Sequence, residues 1–144
     1  MRDLNTERVC DILNEIVELE MAGVVRYAHS SLMVTGPNRI PIVAFLQEQA
    51  NESLQHALQA GEYITGFEGH PSQNISHIEE NHNHSVHQIL KESLEHEMKA
   101  VEKYKELLDE VADASIMLEE YARGQIGMEE QHALEIRKML IDYS

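Results

Sequence analysis

Apolar residues recur at steps of three and four along four long stretches of the chain, the spacing that lines one face of an α-helix. The first stretch runs from Thr6 to Met33, with Val9, Ile12, Leu13, Ile16, Leu19, Gly23 and Tyr27 on its stripe and Thr6 as the expected N-cap. The second runs from Pro41 to Thr65, and a proline is acceptable in a first turn. Val86, Ile89, Leu90, Leu94, Val101, Tyr104 and Leu108 stripe a third, from about Ser85 to Val111. A fourth follows Asp113 or Ser115, both good caps, and reaches Ile141 through Leu118, Ala122, Ile126, Ala133, Ile136 and Leu140. Each predicted helix is about 40 Å long at ~1.5 Å per residue. Gly36-Pro37 breaks the pattern once, and Gly66, Gly69 and Pro71 break it again. No alternation of the β type extends over a useful length.

The first pair and the last pair are joined by short links, as antiparallel neighbours are. The middle link, Gly66 to His84, is long enough to travel the length of a bundle and so to set helices two and three parallel. The expectation is one all-α domain over residues 1–144, a four-helix bundle running up-down-down-up with a single long crossover.

Several ionisable residues fall on the faces that should be buried. Glu20 shares its stripe with Ile16, Gly23 and Tyr27, and Glu97 has Ser93, Ala100 and Tyr104 at the same offsets. Glu129 lies with Gln125, Ile126, Ala133 and Ile136, and His132 stands one turn on. On helix two, Glu52 and His56 follow Phe45 and Gln49 along one face. A buried carboxylate is costly unless something compensates its charge. Few lysines or arginines share these faces, so the remaining compensation is a bound cation. Four glutamates and two neutral histidines suit iron, manganese or zinc, and four carboxylates balance two divalent ions.

Depth supports the grouping. Residues at one level of an antiparallel hairpin are equally far from its turn. Glu20 and the Glu52–His56 pair centre on Pro37, and Glu97 and Glu129 centre on Asp113, so all four segments can deliver ligands to one layer. A shift of 77 residues (9 to 86, 20 to 97) carries Val9, Ile12, Leu13, Glu20, Val24, Tyr27 and Glu52 onto Val86, Ile89, Leu90, Glu97, Val101, Tyr104 and Glu129. Two related hairpins facing each other across a pseudo-twofold axis are expected, each giving two glutamates and one histidine.

Composition narrows the partners. The 144 residues include 26 acidic and 11 basic side chains, a formal net charge of −15. That argues against a nucleic-acid partner, which needs clustered Lys and Arg. No apolar run approaches the ~20 residues of a membrane span, and no signal pattern opens the chain. Cys10 has no second cysteine to pair with, which points to a reducing cytoplasm. Five of the nine histidines lie between His70 and His87, and a flexible polar crossover is favoured there over a surface metal site at His82, His84 and His87. His96 is expected outside the ligand set, because the repeat aligns it with Leu19. Gly124 and Gly127 weaken helix four by ~1 kcal/mol each relative to alanine, and close helix approach or ligand access is the expected reason.

Glu20 with Tyr27, His56-Ala57, Phe67-Glu68-Gly69-His70-Pro71, Glu97, and Glu129 with His132 carry a resemblance. By these residues the chain resembles the ferritin-like superfamily, most closely its bacterioferritin branch, over nearly its whole length. The resemblance implies a ferroxidase centre. Two Fe(II) ions would be held by Glu20, Glu52, His56, Glu97, Glu129 and His132 and would pass electrons to dioxygen or peroxide. Tyr27, Tyr104 and Ser53 are expected to stand behind those ligands, the tyrosines orienting carboxylates.

Three departures from the family pattern carry expectations of their own. The family places a glutamate three residues before the helix-two histidine, where this chain has Ser53, while Glu52 stands four residues before His56. A local π-bulge in helix two would absorb the extra residue. Leu54 stands where bacterioferritins carry their haem-binding methionine, so no haem is expected. The sequence stops after helix four, without the short fifth helix of the large cages, which puts a large closed shell and bulk storage in question. A homo-oligomer, a dimer at least, is the expectation. Iron oxidation for storage or detoxification is the leading reading. A di-iron oxidase or peroxidase of rubrerythrin type that stores no iron is the second. A metal-free helical scaffold that binds other proteins is the third.

Overall fold

In the computed structural model, which describes residues 1–142, the four stripes become α1 (Thr6–Met33), α2 (Arg39–Gly66), α3 (Val86–Val111) and α4 (Ile116–Ile141). Asn5 rather than Thr6 caps α1, because its Oδ1 accepts from Arg8 N at 3.0 Å and so satisfies the third amide of the helix. Ser85 and Ser115 cap α3 and α4 in the same way, accepting from Gln88 N and Leu118 N. α2 ends in a Schellman arrangement: Gly69 N donates to Ile64 O at 2.8 Å and Glu68 N to Thr65 O at 3.0 Å. Glu68 takes the left-handed position, with φ 65°.

Contacts between helices fix their directions. Arg8 pairs with Glu106 at 3.0 Å and Arg26 with Glu92 at 3.8 Å, so α1 and α3 are antiparallel. α1 also packs on α2, and α3 on α4, across the short turns. From the end of α2 the crossover climbs along α1. Asn14 Nδ2 donates to His70 O at 3.1 Å, Ser76 N donates to Glu18 O at 3.0 Å, and Glu80 reaches His29. α2 and α3 are therefore parallel, and the bundle runs up-down-down-up as the link lengths predict.

Two apolar clusters fill the interior. Val9, Ile12, Leu13, Ile64, Leu107, Val111 and Leu118 belong to one. Tyr27, Val34, Ile42, Leu46 and Ile89 form the other, towards the opposite end of the helices. Each fully buried Leu or Ile contributes about 1.5–3 kcal/mol of transfer free energy. Between the clusters lies a buried polar layer made by Glu20, Gln49, Ser53, His56, Ser93, His96, Glu97, Gln125 and Glu129.

The buried positions also show where the internal repeat changes step. From α1 to α3 the shift of 77 holds, carrying Ile12, Glu20 and Tyr27 onto Ile89, Glu97 and Tyr104. From α2 to α4 it is 76 (42 to 118, 49 to 125), carrying Ile42, Leu46, Gln49, Ala57 and Ala60 onto Leu118, Ala122, Gln125, Ala133 and Ile136. The odd residue sits in the turn: residues 34–38 join α1 to α2, and only 112–115 join α3 to α4. α2 is accordingly a regular α-helix through 52–56, and the expected π-bulge does not form. Ser53, not Glu52, is the counterpart of Glu129, and His56 is the counterpart of His132.

Candidate metal centre

α1 and α3 each bring one glutamate into the polar layer, α2 brings a histidine, and α4 brings a glutamate and a histidine. Glu20, Glu97 and Glu129 are only 2–3% exposed, deep enough that their charges need compensation from protein or ion. Glu20 Oε2 lies 2.8 Å from His56 Nδ1, and Glu129 Oε1 lies 3.3 Å from the same nitrogen. On the other side, His132 Nδ1 lies 3.7 Å from Glu129 Oε2 and 3.9 Å from Glu97 Oε2. Two groups result, Glu20–His56–Glu129 and Glu97–Glu129–His132, each with ligand atoms within 4.8 Å of one another. Glu129 serves both, one oxygen on each side.

Glu52 is the expected ligand that neither group includes. On α2 the inward stripe is Gln49, Ser53, His56 and Ala60. Glu52 lies one helical step of ~100° from Ser53 and falls at the edge, its side chain 34% exposed. Its Oε2 instead approaches the outer nitrogen of the other histidine, 3.2 Å from His132 Nε2. Ser53 is buried and faces α1. A Cβ built on Gly23 would come 2.8 Å from its hydroxyl.

The tyrosines cross between helices. Tyr27 OH donates to Glu97 Oε1 at 2.6 Å, and Tyr104 OH donates to Glu20 Oε2 at 2.9 Å. Burial pushes both phenols well above their ordinary range, so they stay protonated and donate. Burial also raises the carboxyl of Glu20, against the opposing pull of His56. For Glu129 burial acts in the same sense, but the His132 and His56 imidazoles outweigh it and hold this carboxyl below the usual range. Burial disfavours charge on His56, yet Glu129 and Glu20 together push it up to about 10. Glu129 likewise raises His132. A proton on His56 thus holds Glu20 and Glu129 together where a cation could.

Two buried atoms test that substitution. Among the described residues, His132 Nδ1 and Glu52 Oε2 have no hydrogen-bond partner. His132 Nδ1 faces two carboxylate oxygens at 3.7 and 3.9 Å, too far for hydrogen bonds. Ligands bound at ~2.0–2.2 Å around one tetrahedral ion stand about 3.3–3.6 Å apart, so only a small contraction separates this group from a metal shell. The donor set fits two borderline divalent ions sharing Glu129.

The sequence profile of the ferritin-like domain matches residues 10–143. This chain belongs to the ferritin-like family. Among curated proteins none matches it by sequence. The ferritin-like fold is shared with a ferritin-like, di-iron-carboxylate protein of Bacillus anthracis, at TM-score 0.88 and 20% identity over 94% of this chain and 96% of that one. A dodecameric thioferritin of Bacteroides fragilis, a bacterioferritin-related protein, aligns at TM-score 0.86 and 21% identity over 97% and 88% of the two chains. Rhodobacter capsulatus bacterioferritin aligns at TM-score 0.84 and 20% identity, over 95% and 86%.

Within this ferritin-like bundle one buried group was undervalued by the sequence pattern. His96 lies outside both ligand groups, but it is buried and stands edge-on to Tyr27, with ring centroids 5.6 Å apart. Burial, followed by the Arg26 charge, pushes it down to about 4, so it is neutral at pH 7. Its position three residues after Ser93 and one before Glu97, on the inward side of α3, is the signal that could have revealed it. Gly23 lies beneath it: a Cβ there would stand 2.6 Å from His96 Nε2. Gly124 and Gly127 have no atom within 4 Å of such a Cβ, so close helix approach does not account for them. No helix among the described residues is long and apolar enough to cross a membrane.

Proposed function

We propose that this chain oxidises Fe(II) with dioxygen or peroxide at a two-iron site held by Glu20, His56, Glu97, Glu129 and His132. The observation that carries the reading is Glu129, one buried carboxylate that presents an oxygen to each of two glutamate–histidine groups. The iron pair supplies the electrons that reduce the oxidant. The chain supplies the geometry. Glu129 fixes the spacing of the two positions, and Tyr27 and Tyr104 hold Glu97 and Glu20 in place by hydrogen bonds. Glu52 Oε2 stands 3.2 Å from His132 Nε2, close enough to orient that ring from behind once its proton is aligned, as carboxylates do for metal-bound histidines. The apolar clusters above and below keep bulk water from the layer. Fold neighbours described as di-iron-carboxylate protein and bacterioferritin support iron over manganese or zinc, which the same ligands accept.

The test is oxygen consumption after Fe(II) is added to the metal-free protein. Uptake well above the buffer rate is expected for the wild type and uptake at the buffer rate for Glu97→Ala. A wild type no faster than buffer overturns the reading. We infer also that the chain works as a homo-oligomer, as the dodecameric relative of Bacteroides fragilis does. Native mass then separates uses: a closed shell favours storage, and a dimer favours an oxidase that keeps its metals.

A further inference from the structure

Away from the polar layer, the crossover brings a different set of ligands together. His29 projects from α1, Glu80 lies in the crossover, and His84 stands just before the cap of α3. His29 Nε2 is 3.1 Å from Glu80 Oε2, and His84 Nε2 is 3.8 Å from Glu80 Oε1. The two imidazoles meet edge to face with centroids 5.6 Å apart. All three offer ligand atoms within 4.8 Å of one another. Bonds of ~2.0–2.2 Å in a tetrahedral arrangement put neighbouring ligand atoms about 3.3 Å apart, inside the range seen here. We propose that His29, Glu80 and His84 form a second metal site, for one divalent transition ion of the zinc type, that clips the crossover to α1 and the start of α3.

Three features favour a built site over a chance meeting of side chains. The carboxylate is held by the backbone, since His82 N donates to Glu80 Oε1 at 2.7 Å. His82 takes the left-handed conformation there, φ 58°, which closes the loop around Glu80. A cleft of about 150 Å³, lined also by Ser30, Ile78, Glu79 and Glu92, adjoins the three residues and gives room for a water as fourth ligand. The neighbouring cation, Arg26, is paired with Glu92 at 3.8 Å. Two imidazoles and one carboxylate select zinc or copper over calcium or magnesium, which prefer oxygen alone. Of the crossover histidines singled out by the sequence, only His84 takes part. Its partner His29 comes from a helix more than fifty residues earlier, beyond the reach of local spacing.

The inference is independent of the chemistry proposed for the polar layer, and the experiment keeps the two apart. Full-length metal-free protein, as wild type, His29→Ala, His84→Ala and Glu80→Gln, is titrated with Zn²⁺ by calorimetry. Loss of a supporting residue behind a metal ligand already weakens affinity about 10–100-fold, so loss of a ligand costs at least that. Each alanine variant is expected to bind one Zn²⁺ per chain fewer than the wild type, and Glu80→Gln to bind that ion at least tenfold more weakly. Fe(II) oxidation is expected at the wild-type rate in all three. Limited proteolysis gives a second readout: Zn²⁺ is expected to slow cleavage of the crossover in the wild type and not in the variants. His29 is half exposed on the helix surface, so His29→Ala serves even if His84→Ala disturbs the start of α3. Unchanged Zn²⁺ stoichiometry and affinity in His29→Ala overturns the site and leaves two imidazoles merely hydrogen-bonded to a carboxylate.

Discussion

Glu129 and His56 show what a buried charge does before any ion arrives. His56, pushed up to about 10, holds a proton at pH 7, yet a metal ligand must be unprotonated. Metal loading therefore displaces that proton. Zn²⁺ added to weakly buffered metal-free protein at pH 7 is expected to release protons, and His56→Ala to release fewer, as a pH-indicator dye reads. The same shift has a stability consequence. The folded value lies above the unfolded 6.5, so the contribution is fully present below pH 6.5 and is lost as pH rises through about 10. The melting temperature of the metal-free protein is expected to fall over that window, and the His56 part of that fall is absent once metal has replaced the proton. Glu20, Glu97 and Glu129 were legible in the sequence because apolar or small residues bracket each of them one turn away. The place of Glu52 was less legible, because spacings of three and four both keep a residue near His56. Only the length of the turn before α2 decides which of Glu52 and Ser53 faces inward.

At the scale of elements, the helices were legible because their stripes are long and their ends carry Asn, Ser or a glycine. α2 starts at Arg39, two residues before the expected Pro41, and Pro41 still lies in the first turn, where no amide is needed. Glycines were less legible, since sequence does not say which one has a neighbour pressed on it. Gly23 does. Gly23→Ala forces His96 and Ser53, both buried, to move, and is expected to cost about 1–3 kcal/mol in denaturant unfolding. Gly124 is exposed with open space around it, so Gly124→Ala is expected to stabilise by about 1 kcal/mol in the same measurement. Equal effects of the two substitutions would contradict the packing described for α1 against α3.

For the whole molecule, the layer of carboxylates between two apolar clusters makes stability depend on what neutralises it. An ion that binds only the folded chain stabilises it by about 2.7 kcal/mol at a hundred times its dissociation constant. For a domain of this size that is on the order of 5–10 °C in melting temperature. Chelation of a metal-loaded sample is expected to lower the midpoint by that order in scanning calorimetry, with His29→Ala and His84→Ala used to separate any surface contribution.

The distribution of the two ligand groups between the hairpins is unequal. Glu97, Glu129 and His132 all belong to α3 and α4, whereas Glu20 and His56 belong to α1 and α2 and need Glu129 from the other half. An ion in the first group is an ornament of one hairpin. An ion in the second is a rivet through both, beside the lone peptide strap that joins them. After scission of that strap, the two fragments would still share both apolar clusters, and the rivet would add to that hold until a chelator drew it.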